Sequence, residues 1–304
     1  MNQTENNESE QEQPIDLPKS VRETASEIYS QLEATSLGLR MPGISCGLYD
    51  LDAVTQGFQK GDLVVLAGAT CMGKTTMASN IARNIAAFHN MSVVFFTAEM
   101  TEEALTNRLL SAESGIEAHR LRSGRVAANE WTTIGNAINA LSKIPIFIKS
   151  VPSLEVDTIE NLSAAIQKEQ DSGLGLIVVD NLHLISTEND EFAEVSRIIR
   201  RLKALALRLQ VPVLLLSQVN TAVEKRTNKR PLLGDLRLGA VIENVADVVL
   251  ALYREEWYNP STPDRGIAEV LILKQRNNAA GYVAKYLFEP QFNRFRNLAA
   301  SLKK

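Results

Sequence analysis

Residues 68–75 read Gly-Ala-Thr-Cys-Met-Gly-Lys-Thr, the G-x-x-x-x-G-K-[ST] spacing of a phosphate-binding loop. The chemistry of such a loop is anion capture. Main-chain N–H groups close around phosphate oxygens, and the helix that follows points its positive end at the same charge. In this sequence Gly68, Ala69, Thr70, Cys71, Met72 and Gly73 form the cradle, Lys74 reaches the β- and γ-phosphates, Thr75 offers its hydroxyl to Mg²⁺, and Thr76 continues into the helix. ATP and Mg²⁺ are the cofactors implied. A glycine-rich turn without a ligand is the competing explanation, and the flanking residues argue against it. Residues 62–67, Asp-Leu-Val-Val-Leu-Ala, suit a buried strand, and Met77, Ala78, Ile81, Ala82, Ile85 and Ala86 recur at helical spacing.

Three more polar residues end apolar runs. Glu99 follows the run at 92–97, Asp180 ends Leu176-Ile177-Val178-Val179, and Gln218 follows Val213-Leu214-Leu215-Leu216-Ser217. In open α/β sheets ligands bind at the carboxyl ends of the strands. Asp180 either caps a turn or holds the water shell of Mg²⁺, and its pairing with the loop at Gly68 favours the metal. Gln218 either touches the γ-phosphate or makes a structural hydrogen bond.

The elements that must position these residues alternate. Thr101 is a good N-cap for a helix carrying Leu105, Leu109 and Leu110. Residues 145–149 read as a strand, Ile159, Leu162 and Ile166 mark a helix, and Val195, Ile198, Ile199, Leu202, Leu205, Ala206 and Leu209 share one face of a long helix. Apolar strands alternating with helices predict an α/β fold with a mostly parallel sheet covered on both sides. Runs at 247–253, 268–274 and 282–288 extend it as an antiparallel meander. Residues 114–141 read as helices without a usable motif, and the turn residues of 43–62 place that segment outside the sheet.

At the front, residues 1–13 have no Lys or Arg and nothing apolar after Met1, so a disordered polar tail over 1–17 is expected. An amphipathic helix is expected over 18–36, since Val21, Ala25, Ile28, Tyr29 and Leu32 form one stripe. It packs either on its own domain or on a neighbouring subunit. Residues 299–304 are expected to be a short tail.

The chain has 304 residues, 45% hydrophobic and 22% charged, with a net charge of −4, which suits one large domain and excludes a wholesale basic coat. Cys46 and Cys71 are the two cysteines and lack metal-ligand spacing; His89, His119 and His183 are scattered. With no membrane or secretory segment, a reducing, cytoplasmic setting is expected. Between residues 219 and 238, Lys225, Arg226, Lys229, Arg230 and Arg237 outnumber Glu224 and Asp235. The run is either solvated surface or a phosphate grip beside the nucleotide. Without interleaved aromatics, it would hold single-stranded nucleic acid through the backbone, independent of sequence. Lys274 and Arg276 close a strand with no acid adjacent in sequence, as exposed charge or as a reach toward another subunit's phosphates.

Together these residues resemble a family. The loop at 68–75, Glu99 in Phe96-Thr97-Ala98-Glu99-Met100, Asp180, Ser217-Gln218, Asp235-Leu236-Arg237 and Lys274-Gln275-Arg276-Asn277 follow the order and approximate spacing of the RecA-like motor domain of DnaB-type replicative DNA helicases. The resemblance covers about residues 43–298, and the Lys-Gln-Arg-Asn block is its most specific part. It implies a RecA-like P-loop ATPase that assembles as a ring, usually a hexamer, with ATP between subunits. It also implies 5′ to 3′ movement on single-stranded DNA, and a primase, helicase loader or host helicase as further partners. Glu99 would polarise the attacking water, Gln218 would sense the γ-phosphate, and Arg276 with Lys274 would reach the adjacent subunit's site as an arginine finger and its companion. The helix at 18–36 would match the linker helix that docks on the next subunit. The setting would be a bacterial, phage or plasmid replicon, or an organelle.

The sequence departs from the pattern in places. The family's N-terminal helical domain is not recognised here. Asp235-Leu236-Arg237-Leu238-Gly239-Ala240 stands where Asp-Leu-Arg-Glu-Ser-Gly is usual, so Ala240 adds a β-carbon where close approach or positive φ is expected to matter. Asn181 and His183 stand where Tyr and Gln are common, and Cys71 replaces a usual Ser. A nucleotide-switched accessory protein that joins a helicase ring or DNA without unwinding is therefore the alternative. A KaiC- or RadA-like ATPase matches residues 274–277 less well.

Overall fold

The computed structural model describes residues 20–37, 41–151, 155–181, 191–237 and 239–298. The expected tails at 1–17 and 299–304, together with His183 and Leu238, lie outside them. The chain divides between Pro42 and Gly43 into two compact units.

The first unit contributes α1 (Val21–Ser36). Ser20 caps it and exchanges hydrogen bonds with Glu23 as a capping box, a start signal that the apolar stripe alone did not reveal. Val21, Ile28, Tyr29 and Leu32 of the predicted stripe are exposed.

The second unit begins with α2 (Tyr49–Thr55), then alternates β1 (Leu63–Gly68), α3 (Lys74–His89), β2 (Ser92–Thr97), α4 (Glu102–Ser114), α5 (Ala118–Arg122), α6 (Trp131–Leu141), β3 (Ile146–Ser150), α7 (Val156–Glu169), β4 (Leu174–Asp180), α8 (Glu191–Leu209) and β5 (Val213–Gln218). It ends with α9 (Gly239–Val245), β6 (Val248–Tyr253), α10 (Glu255–Tyr258), β7 (Ile267–Gln275), β8 (Val283–Glu289) and β9 (Arg294–Asn297). The strands form one sheet in the order β3-β2-β4-β5-β1-β6-β7-β8-β9. The first six are parallel, and β7, β8 and β9 pair antiparallel. The mostly parallel sheet with an antiparallel extension is as expected. The strand β9 was not, because four residues with two arginines carry no strand pattern of their own. It forms because Phe295 is buried against Phe288, ring centroids 4.5 Å apart.

Side-chain alternation along β1 builds two cores. Val64 and Leu66 face the layer with Met77, Ile81 and Ile85 of α3, while Leu63, Val65 and Ala67 face the layer with Ile199, Leu202 and Leu205 of α8. Each fully buried Val, Leu, Ile or Met among them contributes roughly 1.5–3 kcal/mol of transfer free energy, which fixes β1 and hence the loop it feeds. Chain order reverses around β1: β2 to β5 lie on one side and β6 on the other, so a crevice opens at the carboxyl ends of these strands. Among the described residues no helix is long and apolar enough to cross a membrane.

Candidate functional site

The phosphate loop leaves β1 at Gly68 and enters α3 through Gly73, whose φ of +100° is a left-handed conformation that glycine adopts without strain. A β-carbon there would also lie 3.1 Å from Phe295 Cζ and 3.2 Å from Phe288 Cζ. The first N–H groups of α3 lack intrahelical acceptors, and Lys74, Thr75 and Thr76, which carry them, line the crevice. Lys74 Nζ folds back to donate to the carbonyls of Gly68 (2.9 Å) and Ala69 (3.0 Å). Burial lowers its pKa, opposed by the nearby charges of Glu99 and Asp180.

Across the crevice, Asp180 ends β4 and is 1% exposed. Its Oδ2 accepts the Thr75 hydroxyl at 2.8 Å. Burial raises its pKa to about 6, with the Thr75 hydrogen bond opposing and Glu99 adding to the rise. The two residues expected at the metal thus meet directly. A buried carboxylate beside a hydroxyl and an anion-binding loop is the donor set that a hard, oxygen-seeking cation bridging to phosphate requires, so the residues fit Mg²⁺. Glu99 lies two residues beyond β2, where the Thr97 hydroxyl accepts the N–H groups of Glu99 and Met100 at 3.3 Å each. Its carboxylate is exposed and accepts a hydrogen bond from the side-chain amide of buried Asn181.

These residues line one cleft of about 620 Å³ with Thr70, Cys71, Gly73, Thr76 and Gln218. It also includes Arg108, Arg254, Trp257, Phe288, Pro290 and Asn293, none of them anticipated. Arg108 sits on α4 close enough to Asp180 and Glu99 to feel both charges. Arg254 stacks over the Phe288 ring at 4.5 Å and donates to the Cys71 carbonyl at 3.1 Å, holding the outside of the phosphate loop. Arg254 was legible in principle, since it follows β6 directly, on the same carboxyl edge as β1. Arg108 lies mid-helix, where no rule singles it out.

Beyond Gln218 the basic segment is closed at its base. Val219 bridges Leu236, and the carbonyl of Gln218 accepts the Arg237 N–H at 3.4 Å. Among the cations expected to grip nucleic acid, Arg226 and Arg230 pair with carboxylates, and Lys229 Nζ donates to the Arg226 carbonyl at 3.3 Å. Arg226 forms a two-point pair with Asp235 (3.1 and 2.7 Å), and Arg230 forms another with Glu269 (2.6 and 2.9 Å) while stacking over Tyr253 at 4.6 Å. Lys229 lies 5.5 Å over the Tyr258 ring, and Lys225 and Arg237 are exposed. The tight position of this segment is Gly239, where a β-carbon would come within 2.6 Å of the Leu233 carbonyl oxygen. Ala240 sits in α9 with negative φ, so the expected need for glycine at 240 is corrected: the close approach is one residue earlier, where glycine is present.

Lys274 and Arg276 are not in this cleft. Because β7 runs antiparallel to β6, Gln275 pairs with Val248 at the start of that strand, whereas Gly68 pairs with Leu252 near its end. The separation is roughly 13 Å along the sheet at about 3.3 Å per residue. An acid is adjacent to them after all, from the residue that precedes β6: Asp247 Oδ1 lies 3.5 Å from Arg276 Nε.

A family model described as the DnaB-like helicase C terminal domain matches residues 43–297. The replicative DNA helicase DnaB of Geobacillus stearothermophilus is 39% identical over 286 residues, which are 92% of this chain and 62% of that protein, so the chain spans about three fifths of that relative's length. The replicative DNA helicase DnaC of Bacillus subtilis is 40% identical over 260 residues, 84% of this chain and 57% of that protein. Among solved structures, a DnaB-like replicative helicase, described with its interactions with primase, superposes with a TM-score of 0.84 at 29% identity over 93% of this chain and 68% of the other. A separate structure described as an ATPase domain gives 0.87 at 28% identity, covering 93% of this chain and 100% of the other.

Proposed function

This chain belongs to the family of DnaB-like helicase C-terminal domains, and from that premise we propose that it is an ATP-driven motor that works as a ring on single-stranded DNA during replication. The observation that carries the proposal is the meeting of Thr75 and Asp180 at the mouth of the phosphate loop, with Lys74 and Glu99 alongside. Bound Mg·ATP supplies the phosphoryl group to be transferred and the divalent charge that offsets it. Thr75 and Asp180 would hold the cation. Lys74, whose Nζ donates to the Gly68 and Ala69 carbonyls, would hold the β- and γ-phosphates of the nucleotide through stronger, charge-assisted bonds. Glu99, oriented by Asn181, aligns the attacking water and takes its proton. Arg108 adds positive charge to the cleft, and Gln218 senses the γ-phosphate.

The finger residues Lys274 and Arg276 act on a neighbouring subunit's cleft, which explains their distance from their own. Gln218 and Arg237 share a main-chain hydrogen bond, so a change at the γ-phosphate moves the base of the basic segment directly. In that segment Lys225, Lys229 and Arg237 hold DNA phosphates, while Arg226 and Arg230 keep the loop in shape. Movement is 5′ to 3′, the assembly is a hexamer in the cytoplasm, and primase or a loader joins it through surfaces outside the cleft. Strand displacement from forked DNA bearing a single 5′ or 3′ tail tests the proposal: ATP-dependent displacement requiring the 5′ tail supports it. Tight binding of forked DNA with no displacement from either tail would instead favour the accessory protein.

A further inference from the structure

The end of the sheet opposite the cleft places beside Arg276 two charged residues, Asp247 and Lys203, that the reaction described so far does not use. Asp247, immediately before β6, directs its Oδ2 at the Leu63 N–H (2.8 Å) and at Lys203 Nζ (2.6 Å), and Lys203 is itself tied to the Gly61 carbonyl at 2.8 Å. With Oδ2 held by these donors, Oδ1 faces Arg276 Nε at 3.5 Å, and the Arg276 main-chain N–H donates to the Asp247 carbonyl at 3.0 Å. On its other flank Arg276 Nη2 donates to the Asn244 carbonyl at 2.8 Å, at the negative end of α9. Lys274 Nζ donates to the carbonyls of Ala246 (2.6 Å) and Glu243 at the same helix end. Among the described residues the remaining terminal nitrogen, Nη1, has no hydrogen-bond partner, and the side chain is 46% exposed.

We infer that Asp247 is the positioning residue for Arg276: with Lys203 and the α9 carbonyls it fixes one edge of the guanidinium so that Nη1 points outward toward a neighbouring subunit's phosphate. An unrestrained arginine loses rotamer entropy when it is fixed, and a displacement of about 1 Å in a group that must meet a transition state costs on the order of a hundredfold in rate. Seating one edge in advance removes part of both costs. Asparagine at 247 keeps the size but turns one oxygen into a donor, which then faces Arg276 on one side or Lys203 and the Leu63 amide on the other. The inference rests on the trans action of Arg276 proposed above.

The test is ATP turnover of Asp247→Asn, Arg276→Ala and Lys74→Ala proteins, alone and mixed with one another. Asp247→Asn is expected to lower kcat about tenfold while KM for ATP stays within about twofold, since its own cleft is intact. Mixed with Lys74→Ala subunits, which cannot turn over ATP but present a seated Arg276, it should exceed the sum of the separate activities. Arg276→Ala should be rescued in the same way. Rescue of Arg276→Ala without rescue of Asp247→Asn overturns the seat and leaves the trans finger standing; wild-type kcat in Asp247→Asn does the same. Failure to rescue Arg276→Ala overturns the trans assignment itself. Lys203→Gln, which removes the charged donor from Oδ2 and keeps both Asp247 and Arg276, replaces Asp247→Asn if that variant does not melt cooperatively. It is expected to lower kcat about threefold with the same rescue, and unaltered kcat in it counts against the seat.

Discussion

Substituting Arg230 by alanine separates a structural cation from a DNA-gripping one. Glu269 is 5% exposed and takes two hydrogen bonds from Arg230, at 2.6 and 2.9 Å, with Lys285 more distant at 3.8 Å. Leaving a buried carboxylate without its partner costs about 3–5 kcal/mol. Here the arginine side chain is 35% exposed and Lys285 remains, so about 2 kcal/mol is expected. For a domain of this size that lowers Tm by about 5 °C. Adding Glu269→Gln to Arg230→Ala removes the stranded charge and should return more than half of the loss. Thermal melting of the wild type, both single variants and the double variant closes a double-mutant cycle, with the salt dependence of single-strand binding measured on the double variant. A log–log salt slope within about half a unit of wild type identifies Arg230 as a loop anchor. A loss of about 1 kcal/mol or less in Arg230→Ala, with the salt slope falling by nearly one unit, would refute the reasoning and return Arg230 to the DNA-contacting set.

Three further outcomes follow from the geometry. Gly73→Ala forces alanine to φ near +100° and sets its β-carbon 3.1 Å from Phe295; it should weaken binding of a fluorescent ATP analogue at least about tenfold, and unchanged affinity would contradict the cradle. Asp62 has its pKa raised from 3.8 to about 6 by burial and by Asp247, so the folded state holds the proton more tightly than the unfolded one; its ionisation erodes stability as pH rises from about 4 to 6, and the penalty is complete above that. Asp62→Asn should therefore be the more stable protein by on the order of 1 kcal/mol at pH 7.5, with the difference vanishing near pH 4; a difference independent of pH in chemical unfolding would exclude this cause. Lys74→Ala should leave the fold intact and reduce phosphate release to background, and measurable turnover by that variant would contradict the role given to Lys74.

The parallel core was legible because its signals are local. Runs such as Val93 to Phe96 and Leu214 to Leu216 are apolar on both faces, as a strand covered on both sides must be, and Glu99, Asp180 and Gln218 stood out because each ends such a run. What stayed hidden depends on neighbours distant in sequence. Nothing in Arg-Phe-Arg-Asn announces β9 until Phe295 meets Phe288, and nothing near Arg276 announces Asp247, which lies 29 positions earlier. The basic run at 225–237 looked uniform as charge, yet its cations divide by partner: Arg226 to Asp235 and Arg230 to Glu269, while Lys225 is exposed. Arg108 and Trp257 reach the cleft through packing of α4 and α10 that residue type cannot foretell.

Phosphate release by the purified chain, with and without single-stranded DNA at fixed salt, together with its mass in Mg·ATP, tests the motor most directly. The account predicts turnover that rises several-fold with DNA in a ring-sized assembly of several copies. A monomer that hydrolyses ATP at the same rate whether or not DNA is present would contradict it.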